Sequence, residues 1–445
     1  MIRGTTVRSA AKLAAPRRML STATGVTKFT TLSNGVTVAT ETNPHATAAS
    51  VGLYYGAGSR SEHTFSNGIS ALTNNILASK ATPGVSLAAL NAREYNGVIA
   101  QVTNDNVALA AETLSEIINH APEVVAQANF GAEKAKLTAE AAAVENDPNA
   151  KVASHLVATA YQGYSLGLPI HGTPESIPGL QVEDAQRVLD KQLVSANTVV
   201  AAAGNINHDQ LVESLERNLK ISQGLKPATQ PATFLGSEVR MRDDTMPKAY
   251  ISIGVNGEAL NSPEYYVAKV AANVFNSFNQ DSTVAHYTSP KLASIVQEYH
   301  IVDKYTHFSH SFADAGLWGF QAEISNVGSI DDFVHFTLKQ WNRLSTTIGD
   351  AEIARAKNQT KVEILAALNT PNAVANDIAS KILLAGYRNS VHEALEQIDA
   401  INTEKVKQWG RKKLWDKDIV ISGTGQIEDL FDYNRNRNEM AALRF

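Results

Sequence analysis

The strongest constraint on what this chain can fold into is that it repeats itself. Ile177 and Ile398, Glu183 and Glu404, Leu193 and Leu414, Gly204 and Gly425, and Ile206 and Ile427 all stand at one spacing of about 221 residues. The pattern around them recurs as well. Gln181–Leu193 and Asn402–Leu414 read as helices, Thr198–Ala203 and Asp418–Ser422 as strands, and Gly204-Asn205-Ile206 and Gly425-Gln426-Ile427 close them. Ala135-Lys136 answers Ala356-Lys357 at the same spacing, and the Asn-x-Pro-Asn of 146–149 answers that of 369–372 slightly out of step. The match is weaker at the front of each half, where Ala49–Leu53 resembles Ala249–Ile253. A spacing near half of the 445 residues means duplication into two similar domains, because solenoid repeats recur every 20 to 50 residues or so.

Each half carries strands early and late with helices between. That predicts an α+β fold of two duplicated domains, each a sheet covered by helices. The domains are expected at 21–221 and 234–445, with 222–233, which holds Gly224, Pro227 and Pro231, as the linker. In the first half, Ser33-Asn34-Gly35 predicts a hairpin turn between Thr30–Leu32 and Val36–Ala39. Ala48–Tyr55 reads as a strand ended by Gly56-Ala57-Gly58. Val98–Val102 and Val107–Ala110 read as short strands running into a helix through His120. Phe130–Glu145, rich in Ala, Glu and Lys, favours helix, and Val152–Tyr161 predicts another.

The chemistry turns on Asn67–Lys80, NGISALTNNILASK. Ile69, Leu72 and Ile76 place one apolar stripe on a helix, and the opposite face carries Ala71, Asn74, Asn75 and Ala78. With Gly58-Ser59-Arg60 leading to Asn67-Gly68, this stretch resembles the signature helix of the inverted zinc peptidases, the pitrilysin and mitochondrial processing peptidase family. That helix reads H-x-x-E-H, two histidines on zinc and a glutamate as general base. Set on Asn67-Gly68, the histidine positions hold Ala71 and Asn75, and the base position holds Asn74. Alanine has no donor atom, and an asparagine amide has no basicity near neutral pH. Glu133 and Glu140 match the family's glutamate pair, the second of which would be the third zinc ligand. One carboxylate without imidazoles cannot supply the usual three protein ligands. The resemblance therefore implies a peptidase helix with its chemistry removed: no catalytic residue, no metal and no cofactor, with Glu133 and Glu140 left as solvated glutamates.

The resemblance also implies that each sheet is mainly antiparallel and that the two halves face each other. FLGSEVRMRDD (234–244), Met246-Pro247, DAGLWGF (314–320), HFTLKQWNRL (335–344) and LWDKDIVISGTGQIED (414–429) narrow it further. These blocks resemble the non-catalytic core proteins of the fungal cytochrome bc1 complex, the ubiquinol–cytochrome c reductase. The branch implies a peripheral, matrix-side scaffold of the mitochondrial inner membrane. Its implied partners are core protein 2, cytochrome b, cytochrome c1, the Rieske protein and small subunits, in a dimeric complex. The alternative is a non-catalytic partner in a processing peptidase dimer. The non-catalytic α subunit of that dimer carries a glycine-rich loop in its second half, and Asn276–Tyr299 contains no glycine.

The rest of the composition bounds this reading. No cysteine occurs, which excludes disulfides, thiolate zinc sites, cysteine-ligated iron–sulfur clusters and covalently attached haem. Arg3, Arg8, Lys12, Arg17 and Arg18 precede the first acidic residue, Glu41, in a Ser- and Thr-rich stretch, the composition of a mitochondrial transit peptide over 1–20 with a cut before Ser21. Losing those five bases leaves roughly ten net negative charges, the opposite of a nucleic-acid binder. The long uncharged run Gln192–His208 is too short and polar to span a bilayer.

Other candidate residues read as ordinary. His307 and His310 point to opposite faces of a strand. His63 lies in a Ser-rich loop as a solvated side chain. Gly68-Ile69-Ser70 lacks the final glycine of a nucleophile elbow, and no GxxxxGK[ST] or strand-coupled GxGxxG is present. Tyr387-Arg388, near where the peptidases carry a substrate-clamping pair, reads as structural.

Overall fold

The computed structural model describes residues 26–442 except 81, 284, 288 and 289, so the expected presequence and its boundary at Ser21 lie outside the described residues. The first half supplies strands β1 (Lys28–Thr31), β2 (Thr37–Thr42), β3 (Ala48–Tyr55), β4 (Ser86–Asn91), β5 (Asn96–Thr103) and β6 (Thr198–Gly204). Its helices are α1 (Ile69–Ala78), α2 (Val107–Asn119), α3 (Ala121–Gln127), α4 (Phe130–Asn146), α5 (Pro148–Ala160), α6 (Val182–Gln192) and α7 (His208–Asn218). The second half supplies β7 (Ser237–Arg242), β8 (Ala249–Asn256), β9 (Ser277–Asn279), β10 (Lys304–Ser311), β11 (Gly316–Ile324) and β12 (Ile419–Gly425). Its helices are α8 (Tyr265–Phe275), α9 (Lys291–Tyr299), α10 (Ile330–Thr346), α11 (Asp350–Ala367), α12 (Pro371–Ala385), α13 (Val391–Asp399), α14 (Thr403–Lys413) and α15 (Tyr433–Ala442).

Two 6-stranded sheets result, in the orders β1-β2-β6-β3-β5-β4 and β7-β12-β8-β11-β10-β9. Every neighbouring pair is antiparallel except β2 with β6 and β12 with β7, so both sheets are mainly antiparallel, as expected. The duplicated helix-then-strand units are α6 with β6 and α14 with β12, and each closing strand lies inside its sheet.

Strands buried on both faces explain the long apolar runs in the sequence. On β6, Val200 and Ala202 face one core, while Val199, Ala201 and Ala203 face another; on β3, Val51, Leu53 and Tyr55 face the first and Tyr54 the second. The first core is closed by helices of the same half, through residues such as Leu72, Ile76, Leu114, Leu189 and Leu211. The second core is closed by α12 of the other half, through Ala375, Ile378, Ala379 and Leu383. Small residues on both surfaces let helix and sheet approach closely. The exchange is reciprocal: Leu156, Val157 and Ala160 of α5 pack with Leu317 and Val420 of the second sheet. The recurring Asn-x-Pro-Asn marks these two exchanged helices, since Asp147 caps α5, Thr370 caps α12, and Pro148 and Pro371 sit in their first turns. Each half lends one helix to its neighbour's sheet.

Buried ion pairs join the halves as well. Arg60 forks onto Asp314 at 2.6 and 2.7 Å and also meets Glu94. Arg388 meets Glu41 of β2 and bonds Asp377 of its own half at 2.9 Å. Its structural reading stands. Tyr161 donates to the carbonyl of Gly316 at 2.7 Å.

One expectation fails: Val107–Ala110 is the first turn of α2, not a strand. Four residues are too few to separate a period of two from one of 3.6. The turn Asn104–Asn106 starts the helix, whose buried face is Ala110, Ala111, Leu114, Ile117 and Ile118.

Candidate functional site

Helix α1 begins where the chain reverses at Gly68, which has φ of 97° and is left-handed. A Cβ there would lie 3.1 Å from the Cα of Gly172 and from the carbonyl of His171, and one on Gly172 would lie 2.7 Å from the carbonyl of Asn67. Two glycines therefore bring the 169–173 loop against the head of the helix. The buried carboxylate of Glu62 caps the helix, accepting from the amides of Gly68 at 2.8 Å and Ser70 at 2.7 Å and from Asn67 Nδ2 at 2.7 Å. Burial pushes its pKa up, and those hydrogen bonds work against the rise.

The three motif positions are distinct in environment. Ala71 is 2% exposed and belongs to the apolar core. Asn74 is fully buried. Its amide nitrogen donates to the carbonyl of Leu90 at 3.0 Å, to Asn91 Oδ1 at 2.7 Å and to the carbonyl of Gly97 at 3.2 Å, and its oxygen accepts from the Tyr55 hydroxyl at 3.3 Å. Where a general base would stand, a neutral amide clamps α1 to β4 and β5. Asn75 accepts from Asn91 Nδ2 at 2.9 Å and donates to Glu140 Oε2 on α4 at 3.3 Å.

Glu140 thus faces the second histidine position, as the resemblance requires of a third ligand. The other glutamate, Glu133, expected to be solvated, instead has a side chain 13% exposed and pairs with Lys136 at 2.7 Å one turn along its own helix. Sequence reasoning missed His171, whose Nδ1 lies 3.3 Å from Glu140 Oε2. No spacing signals it, because only the contact of Gly68 with Gly172 brings it in. The cluster offers one carboxylate, one imidazole and one amide oxygen already bonded to Asn91. Among the described residues no group of three or more His, Cys, Asp or Glu side chains is placed to hold a metal ion.

The other candidates separate cleanly. His63 is exposed. His307 is buried and accepts from Trp341 Nε1 at 3.0 Å, and burial pushes its pKa down to about 3. His310 points to the opposite face of β10, into a cavity of about 960 Å³ between the halves that Asn91 and His171 also line. Asn91 and His171, which touch the Asn75–Glu140 cluster, therefore border this half-open space.

This combination defines the class: duplicated α+β halves facing each other, a helix after the third strand with motif positions aimed at a glutamate on a later helix, and a shared chamber. The chain belongs to the peptidase M16 family. A model described as insulinase (peptidase family M16) matches residues 37–174, and one described as peptidase M16 inactive domain matches 179–360. Within the family the chain is similar to a cytochrome b-c1 complex reductase subunit of Candida albicans, 58% identical over 100% of both chains. It is 41% identical to cytochrome b-c1 complex subunit 1 of Saccharomyces cerevisiae over 96% of this chain and 97% of that one. The β subunit of the mitochondrial-processing peptidase of Neurospora crassa is 33% identical over 96% of this chain and 95% of its own length. A chain in the solved structure of complex III2 from Candida albicans, with Inz-5 bound, superimposes with a TM-score of 0.92 at 59% identity, covering 93% of this chain and 99% of that chain.

Proposed function

We propose that this chain is core subunit 1 of the mitochondrial ubiquinol–cytochrome c reductase, a non-catalytic scaffold on the matrix side of the inner membrane. The observation that carries the reading is Asn74. A base must be free to take a proton from water. Here that position is a buried amide holding two strands by their carbonyls, beside an alanine that cannot ligate. The similarity to the two yeast subunits supports the placement in a bc1 complex. No described helix is long and apolar enough to cross a membrane, so the attachment proposed is by docking onto other subunits. Its partners would be core protein 2, cytochrome b, cytochrome c1, the Rieske protein and the small subunits of a dimeric complex. Subunit interfaces of that permanent kind commonly bury more than about 2,000 Å². The two domains, 21–221 and 234–445, would form one body through the exchange of α5 and α12, and residues 1–20 would be removed on import.

Native electrophoresis of a mild-detergent extract of the inner membrane, followed by mass spectrometry, tests this. The chain should migrate in one particle with those partners, and its deletion should lower assembled reductase while presequence cleavage continues. Migration only as a small soluble heterodimer, with a cleavage defect on deletion, would move the assignment to a processing peptidase partner.

A further inference from the structure

The cavity between the halves has walls of Val144, Leu156, Val157, Phe308, Phe312 and Leu317, but its charged residues are unevenly matched. Three carboxylates line it. Glu94 is taken by Arg60, Glu145 lies 3.1 Å from His155 and 3.7 Å from Lys151, and Glu175 is exposed at the rim. The basic groups Arg93, Lys269 and His310 have no such partners. Arg93 spends one nitrogen on the carbonyls of Leu166 and Leu168, at 3.1 and 2.6 Å, and meets no carboxylate among the described residues. Lys269 lies over the Tyr265 ring, 5.0 Å from its centre, and makes no ion pair or hydrogen bond among the described residues. Glu363 and Asp377 act on it only through space. Both are otherwise engaged, Glu363 by Asn273 at 2.7 Å and Asp377 by Arg388 and Lys381. His310 stacks on Phe308 with ring centres 4.7 Å apart. Arg93, Lys269 and His310 all line this one cavity, where His310 is exposed. The Ser309 and Ser311 hydroxyls, also in the lining, are buried without a partner.

Unpaired cations against an apolar wall, here Arg93 and Lys269, are unfavourable until an anion arrives to neutralise them. We propose that this cavity binds an amphiphilic anion, a small molecule with an apolar body and one carboxylate or phosphate head, seated with its head between Arg93, Lys269 and His310. The body would lie against Leu156, Phe308 and Leu317. The volume suits such a molecule, since ligand pockets commonly span about 300 to 1,000 Å³. A cationic segment is refused by the same charges. The assignment is independent of membership in a respiratory complex, because it rests on the chamber alone.

Calorimetric titration of the detergent-free full chain with decanoate, decyl phosphate, decanol and decylamine tests it. Decanoate and decyl phosphate should bind at one site per chain, about tenfold or more tighter than decanol, with decylamine giving no binding. The tighter of the two anions identifies the natural head group. Lys269→Met should weaken decanoate about tenfold and leave decanol unchanged, while Lys269→Arg restores it. Arg93→Lys, which keeps the charge, controls for folding defects in Arg93→Gln. Equal affinity for decanol and decanoate, no binding of either anion below its micellar concentration, or full affinity in a folded Lys269→Met chain would overturn the proposal.

Discussion

Helices α1 and α8 occupy corresponding places in the two halves, each entering after the central strands β3 and β8, and both use the same polar device. In the second half, Asn273 of α8 donates to Glu363 of α11 at 2.7 Å and to the Thr360 hydroxyl at 3.0 Å. In the first, Asn75 of α1 donates to Glu140 of α4 at 3.3 Å, in an exposed setting beside His171. The surroundings differ. Near α8, Trp318 packs against Trp341 and Trp409 with ring centres 4.9 and 5.3 Å apart, and each indole N–H is satisfied, by Ala268, His307 and Glu258 respectively. Near α1, the helix is tied by the Asn74 amide to strand carbonyls. The comparison teaches that one frame tolerates an asparagine–glutamate link either anchored beside a buried hydroxyl or exposed. Where it is exposed, chemistry is decided by two or three side chains and not by the fold.

The largest effect that would sharpen this contrast comes from the aromatic core. Trp318→Ala should destabilise the protein by about 3 to 5 kcal/mol, because a fully buried indole leaves a cavity between two other indoles. Chemical denaturation would measure it, and a loss below about 1 kcal/mol would mean that the second half is not organised around these rings.

Next come the paired asparagines. Asn273→Ala strips the buried Thr360 hydroxyl and the exposed Glu363 carboxylate of a shared donor and should cost about 1 to 3 kcal/mol. Asn75→Ala, at an exposed bond, should cost under about 1 kcal/mol. Equal losses would break the distinction between a link anchored on a buried hydroxyl and an exposed one.

A further effect is on the pH dependence of stability. As pH falls below 6.5, the unfolded chain takes up a proton that folded, buried His307 refuses until about 3. The unfolded state then binds more protons, so stability falls with pH through that window. His307→Gln should flatten the slope, and denaturation midpoints between pH 7 and 4 would reveal it. An unchanged slope would contradict burial as the cause.

Much of this was legible because it is periodic or local. The repeat gave the two halves, β3 matched Ala48–Tyr55 residue for residue, and Asn67–Lys80 contains a helix with its apolar stripe buried. What escaped was relational. No local pattern says that α5 and α12 pack on each other's sheets, because an amphipathic helix reads the same whichever sheet it covers. His171 is invisible until Gly68 and Gly172 touch. Glu140 is exposed, and its contacts with Asn75 and His171 come from three separate elements, whereas Glu133, also read as solvated, is largely covered. Val107–Ala110 misled because a short apolar run carries no usable period.

Zinc content tests the central claim, that the first half keeps the geometry of an M16 site without its donors. Elemental analysis of the purified native protein should find less than about a tenth of an equivalent of zinc per chain, and the Ala71→His, Asn75→His double variant should gain zinc through Glu140. One tightly held zinc per unaltered chain would contradict the account.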